Sequence, residues 1–513
     1  MLFLARISSD ILGKKKHFRF FLPDSFVSPG GFGLREIMTE FIGRTHEMQA
    51  LNSLKDKSTA SLIVCQGRRR IGKSTLIREF GKSFPTFLEF QGLAPAKAQT
   101  NQDQLDNFIS QLKKQVQLPA LRVSNWQDAL DLLVQQLTKR STLILFDEIS
   151  WMGQHDPNFA GKLKLFWDSY HRLYPKLIIC LCGSVSSWIE DNILKATHFV
   201  GRISLTLTLR PLNIKEANLF FRSGTSKMTT WEKLNYLAVV GGIPKYLEEL
   251  NLRETFNDNL SRLAFKESGF LFGEFDKLFN NAFESQKDVY LEILKALQTE
   301  SHTLTEIIKK IGREPGGNYS RYIEHLELAG FITRDPCWTF KGEPSKSPRI
   351  RLSDNYTRFY FRCIKPNINR IANRTFDNVS LGDLANWRSI MGLQFENMIY
   401  DNLPLIIAAL KIDPRDVINA GPYIQRKTEK NKGGCQVDLL IQTKLDTSYL
   451  CELKFRRNVS SNIIKEVQNK IRILQRPKYI AIRPVLIYAG ELSEEIEASD
   501  FFYRTLDVGS LVD

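Results

Sequence analysis

Gly67-Arg-Arg-Arg-Ile-Gly-Lys-Ser74 is the stretch that decides the fold. It fits G-x-x-x-x-G-K-[ST], a loop whose backbone N–H groups cradle phosphate oxygens. The apolar run Ser61-Leu-Ile-Val-Cys65 before it reads as a buried strand, and Thr75-Leu-Ile-Arg-Glu-Phe80 after it reads as an amphipathic helix. Strand, loop and helix in that order are the context the motif requires. Gly67 and Gly72 free the backbone to turn its N–H groups inward, and the helix N-terminus adds partial positive charge. The expected nucleotide-binding set is therefore Gly67, Arg68, Arg69, Arg70, Ile71, Gly72, Lys73, Ser74 and Thr75. Lys73 is expected to reach the β- and γ-phosphates of ATP, and the Ser74 hydroxyl to hold Mg²⁺. The alternative is a chance match in a turn.

Leu143-Ile-Leu-Phe-Asp-Glu148 is an apolar run that ends in two acids. Any strand can end so, but behind a phosphate loop the pair has a chemical use. Asp147 would bind Mg²⁺ through water, and Glu148 would polarise the attacking water as general base. Leu177-Ile-Ile-Cys-Leu-Cys-Gly-Ser184 reads as another buried strand. Parallel strands present their C-terminal ends to the ligand, so Ser184 is a candidate γ-phosphate sensor; a plain strand-end turn is the alternative. Arg202, before the alternating run Ile203–Leu209, is the candidate arginine finger or else a solvated charge. Helices are expected over Asn101–Gln117, Trp126–Arg140, Asn158–Tyr174, Asn213–Arg222 and Thr230–Val240.

The 513 residues suffice for two to four domains. No apolar run reaches the roughly 18 residues of a membrane span. A net charge of +15 favours an anionic partner, nucleic acid before nucleotide, although many basic proteins bind neither. Seven scattered cysteines form no C-x-x-C pair, which argues for reduced thiols in the cytoplasm and against zinc or disulfides. Residues 1–37 show no periodicity and are expected to be a poorly ordered extension, with Met38 a candidate natural start.

Five motifs occur in fixed order: Phe41-x-Gly-Arg-x-x-Glu47, the phosphate loop, Leu145-Phe-Asp-Glu148, Gly201-Arg202 and Gly241-Gly-Ile-Pro-x-Tyr-Leu247. The set resembles the archaeal-type ATPase family, an AAA+-like P-loop group also found in bacteria. The resemblance covers about residues 40–255, and the last motif is its most specific member. It implies a Gly43-Arg44 pair near the adenine, with a helix-entry turn as the alternative. It also implies a possible homo-oligomer in which a neighbour's arginine completes the site.

Downstream, Val289–Gln298, Thr303–Lys310 and Tyr319–Ala329 read as three short helices, capped in the second case by Ser301 or Thr303. The strand-like Phe331-Ile-Thr follows them, as in a winged helix. Arg321 and His325 would then face a DNA groove, or the unit docks within the chain. Ile350–Asp354 and the aromatic run Phe359–Phe361 are expected to lead into a linker near Pro366.

In the last region, Asp438 near the start of one strand and Glu452-x-Lys454 on the next match the PD-(D/E)XK nuclease pattern. Period-two alternation puts Glu452 and Lys454 on one face beside Asp438. Two carboxylates could hold Mg²⁺ while the lysine orients water against a phosphodiester. Glu396, on a helix, would add a ligand or a supporting group. Arg426, Lys427, Lys430, Lys432, Arg456 and Arg457 supply phosphate neighbours. An ordinary charged hairpin is the alternative, but archaeal-type ATPases carry a C-terminal region similar to this nuclease fold.

The expected architecture is α/β throughout. An AAA+-like P-loop NTPase core with a helical lid spans 38–255, a winged-helix domain and linker 256–366, and a restriction-endonuclease-like domain 385–513. The expected function is ATP hydrolysis coupled to DNA binding or processing. The alternative is a nucleotide-dependent switch or DNA-binding regulator whose nuclease-like domain only binds a partner.

Overall fold

Four of the five strands of the first sheet come from the runs read above, and the three that end at Gly67, Asp147 and Ser184 are buried on both sides. In the computed structural model, which describes residues 41–513 except 97, 120, 185–186, 223–227, 284–285, 341–346, 377–380, 426–432 and 513, the strands are β1 (Ser61–Gly67), β2 (Thr86–Gln91), β3 (Thr142–Asp147), β4 (Leu177–Ser184) and β5 (Ile203–Leu209). They are all parallel, in the order β2-β3-β4-β1-β5. Side chains alternate across the sheet. Ile63, Leu143, Leu145 and Cys180 enter one core, whereas Leu62, Ile144, Phe146 and Ile179 enter another. The candidate nucleotide residues all follow from this, since β1, β3 and β4 end side by side.

Sequence-local caps start the connecting helices. Thr100 with Asp103, Asn213 with Glu216, Thr229 with Glu232 and Thr255 with Asp258 each form a reciprocal capping box. The helix from Trp126 ends at Val134, not at Arg140; Leu137 N–H turns back to the Val134 carbonyl at 2.8 Å.

Three helices, Lys287–Ala296, Leu304–Lys310 and Asn318–Leu328, precede an antiparallel pair, β6 (Ile332–Asp335) and β7 (Arg349–Leu352). Thr303, not Ser301, caps the middle helix, reciprocally with Glu306. The expected linker near Pro366 is absent. Residues 355–372 are a run of short helical turns whose Tyr356, Phe359, Phe361 and Ile364 are all within 4% of full burial. Aromatic density there reflects a core position, not an exposed connection.

The C-terminal sheet is mixed, in the order β12-β11-β10-β9-β8. Its strands are β8 (Val417–Gln425), β9 (Cys435–Thr443), β10 (Thr447–Val459), β11 (Ala481–Leu492) and β12 (Arg504–Asp507). Strands β8, β9 and β10 run antiparallel in sequence; β10, β11 and β12 run parallel. One face (Leu439, Ile441, Val485, Ile487) joins the core that contains Ile63 and Leu143. The other packs Val437, Leu440 and Leu450 beneath Ile463 and Val467 of the helix Asn462–Ile473. The boundary near 385 is therefore not a gap in the packing.

Candidate functional site

The phosphate loop needs its two glycines for different reasons. Gly72 has φ +87, a left-handed conformation that costs a side chain strain. At Gly67 an added Cβ would lie 2.8 Å from the Leu209 carbonyl of the adjacent β5, too close for any side chain. Behind the loop, Arg44 is buried and donates from Nη2 to the Ile71 carbonyl at 2.9 Å, with Glu47 3.1 Å from its Nη1. Arg44 thus buttresses the loop.

Lys73 Nζ donates to the carbonyls of Gly67 (3.0 Å) and Arg68 (3.1 Å), folded back over its own loop. Ser74 Oγ donates to Asp147 Oδ2 at 2.7 Å, which joins the two groups expected to share Mg²⁺. Glu148 takes a left-handed φ of 50°, which turns its carboxylate across the strand ends. There it accepts from the Ser184 hydroxyl at 3.3 Å and the Ser184 N–H at 3.4 Å. Lys73, Ser74, Asp147, Glu148 and Ser184 form one constellation. A hydroxyl and a carboxylate in contact, beside an ammonium on a phosphate loop, are oxygen donors suited to Mg²⁺ with a nucleotide.

Arg202 is not brought to it. The residue precedes β5 at the end of the sheet away from the loop, about 20 Å off along seven residues of strand. Its guanidinium pairs with both oxygens of Asp168, at 2.6 and 2.9 Å, and this bonding holds the Asp168 carboxyl well below the ordinary range.

The three loop arginines have other engagements. Arg68 is buried and pairs with both oxygens of Asp354, and its guanidinium lies 5.7 Å from the Phe331 ring centre. Arg70 donates to Glu274 at 2.9 and 3.3 Å, and Glu274 is fully buried. Arg69 lies 5.1 Å over the Trp151 ring. Thr75 is exposed on the first turn. The Gly241–Leu247 motif packs on the same loop: Lys245 N–H donates to the Arg70 carbonyl at 3.5 Å, and the Tyr246 hydroxyl donates at 3.5 Å to Glu274, the partner of Arg70.

The second constellation assembles on the C-terminal sheet. The β9–β10 ladder ends at Leu439 and Cys451, which leaves Asp438 beside Glu452. Asp438 Oδ2 accepts from Leu453 N–H at 3.0 Å. Lys454 Nζ donates to Glu452 Oε1 at 2.8 Å, on the shared face that the alternation predicts. Burial and the neighbouring Glu452 raise the Asp438 pKa. Burial opposes the Lys454 ammonium, yet Glu452 beside it keeps its pKa above the ordinary lysine value. Glu396, on the helix Trp387–Asp401, is pushed up to about 7 by burial and by facing Asp438.

Two participants escaped the sequence reading. Lys470 donates to Glu452 Oε2 at 2.6 Å, and Glu466 accepts from Lys454 at 3.3 Å. Both lie on the helix Asn462–Ile473. The spacing of Ile463, Val467 and Lys470 at i, i+4 and i+7 could have flagged that helix and its inward face. Among the described residues no three His, Cys, Asp or Glu side chains cluster as a metal site. The Asp438–Glu452 pair is nevertheless of the right chemistry for a hard divalent cation. Arg456 and Arg457 are exposed nearby; Arg426, Lys427, Lys430 and Lys432 lie outside the described residues.

Residues 41–250 match the family model of an ATPase domain predominantly from Archaea. The phosphate loop, the Asp147–Glu148 pair and the Gly241–Leu247 motif all lie within the residues this model matches. An uncharacterized protein of Methanocaldococcus jannaschii is 27% identical over 464 residues, which is 90% of this chain and 97% of that protein. Among solved structures, the Walker-type ATPase PABY2304 of Pyrococcus abyssi is similar, with a TM-score of 0.45 and 17% identity over 63% of this chain and 96% of that one. The ORC2 protein of Aeropyrum pernix gives a TM-score of 0.38 and 16% identity, over 66% and 97% of the two chains. No described helix is long and apolar enough to cross a membrane.

Proposed function

We propose that this chain binds and hydrolyses MgATP at the phosphate loop, and that turnover is coupled to DNA engaged at the Asp438–Glu452–Lys454 site. The observation that carries the first half is the 2.7 Å contact of Ser74 with Asp147, flanked by Lys73 and Glu148 at the ends of adjacent parallel strands. When nucleotide binds, Lys73 exchanges its two carbonyl partners for phosphate oxygens. Ser74 and Asp147 would hold Mg²⁺, which would supply positive charge beside the phosphates. Glu148 orients the attacking water, and Ser184, already hydrogen-bonded to Glu148, faces the γ-phosphate. Arg202 can act only on a neighbouring subunit's nucleotide, because its own loop is a strand's length away. The helices 287–328 with β6 and β7 serve as a winged helix, with Arg321 exposed for phosphate contact.

At the second site, Asp438 and Glu452 would hold a divalent ion, which would supply positive charge for the leaving oxygen of the phosphodiester, while Lys454 would orient the attacking water. A competing reading, a nucleic-acid-binding switch without cleavage, draws on the lysines that occupy both oxygens of Glu452. Gel analysis of DNA incubated with ATP, Mg²⁺ and either wild type or Lys454→Ala separates the two. Cutting by wild type that vanishes in the variant supports the nuclease reading. DNA-stimulated ATP hydrolysis with no cutting by either protein supports the switch. Hydrolysis indifferent to DNA, without cutting, overturns the coupling.

A further inference from the structure

Three of the four carboxylate oxygens of the second site accept hydrogen bonds, and the fourth faces an ammonium. Glu452 is 2% exposed; its Oε1 accepts from Lys454 at 2.8 Å and its Oε2 from Lys470 at 2.6 Å. Asp438 gives Oδ2 to Leu453 N–H at 3.0 Å, and its Oδ1 lies 3.6 Å from Lys470 Nζ. One ammonium therefore bridges both carboxylates, at the place a divalent ion would need. Buried carboxylates without a counter-charge are costly, so a cation must remain there in the free protein. Lys470 is suited to leave as well as to stay. Its side chain is 23% exposed on a surface helix, and its four-carbon stem can rotate outward without moving the backbone.

Taking the proposed reading of this site as its basis, we propose that Lys470 is the resident cation of the Asp438–Glu452 pair and competes with a divalent metal for Asp438 Oδ1 and Glu452 Oε2. Metal enters only as the ammonium withdraws. Lys454 keeps Glu452 Oε1 and its second partner Glu466 throughout. The site is thus self-neutralised in the free protein, with metal affinity set by one side chain.

Mn²⁺ titration of the full chain without nucleotide tests this, with free Mn²⁺ read by its paramagnetic resonance signal. Wild type, Lys470→Met, Lys470→Gln, Lys470→Arg and Lys470→Met/Asp438→Asn are compared, each checked for folding by circular dichroism. Removing the competing charge is expected to tighten binding of one equivalent by about tenfold or more in Lys470→Met. The glutamine variant behaves alike and serves if the methionine variant unfolds. The arginine variant stays as weak as wild type, and Asp438→Asn abolishes the gain. Equal affinity in wild type and both neutral variants overturns the inference while the metal reading of the site stands. No Mn²⁺ bound by any variant overturns both.

Discussion

Arg68 and Arg70 sit inside a loop built for phosphate, yet their guanidiniums point to carboxylates 286 and 204 residues further along the chain. Asp354 serves two masters: besides Arg68 it accepts from Thr357 N–H and so caps the helix Asn355–Phe359. Asp354→Asn leaves Arg68 buried beside a neutral partner. Its expected cost is about 3 kcal/mol or more, seen as a lower urea midpoint at unchanged slope. A loss below about 0.5 kcal/mol, the size of an ordinary surface substitution, would contradict a buried clamp. In the ATP site, Glu148→Gln preserves shape and hydrogen bonding while removing the base. Hydrolysis should fall by about 10²–10⁴-fold with nucleotide affinity retained. Equal loss of binding would make Glu148 a ligand. The residues of the phosphate loop were legible because backbone geometry fixes their identity and spacing locally. The partners of Arg68 and Arg70 were not, since an ion pair across more than 200 residues leaves no periodicity to read. Lys470 is only 18 residues from Glu452, on a helix whose start carries no side-chain cap to mark it.

At the scale of elements, the helices that announced themselves carry local caps; the capping boxes at Thr100, Thr229 and Thr303 are written in four consecutive residues each. The helical turns of 355–372 and the helix Asn462–Ile473 were not anticipated. In the first, every position from Asn355 to Phe361 is buried, so no apolar stripe stands out there. In the second, Ser461 gives no side-chain cap. Two histidines of this region have lowered pKa: His302, bridged to Ile350 just before the middle helix, and His325 on the third helix. Burial disfavours the His302 charge, with Lys310 adding to it, and burial then Arg321 do the same for His325. His325 Nδ1 also lies 2.7 Å from the Tyr290 hydroxyl, which turns it inward and away from a DNA groove. A lowered folded pKa means the unfolded chain binds more protons. Stability from these histidines is therefore complete above their ordinary value near 6.5 and is lost as pH falls through the lowered folded values. Urea midpoints at pH 7.5 and 5.5 should differ less in His302→Gln/His325→Gln than in wild type. An unchanged difference would show that neither histidine is held neutral.

Across the whole molecule, residues 41–513 form one compact unit, and one core runs from Leu51 and Ile63 through Tyr356 and Phe395 to Ile487 and Val512. Trp231, on the helix Thr230–Val240 of the ATPase domain, stacks on Phe455 at 4.7 Å, next to Lys454. Calorimetry should therefore show a single cooperative transition, and Trp231→Ala should lower its midpoint by an amount equivalent to about 1–2 kcal/mol. Two resolved transitions would mean that the C-terminal sheet folds apart from the ATPase domain. The order of motifs was legible in the sequence, but this continuity was not: apolar residues are read as core without revealing whose core they enter. The most direct test of the central claim is steady-state release of phosphate from ATP in Mg²⁺, by wild type and Glu148→Gln side by side. Turnover by wild type that collapses in the variant, while both proteins still bind ATP, is the expected result. Equal turnover in both, or none in a wild type that binds ATP, would contradict an ATPase built on Ser74, Asp147 and Glu148.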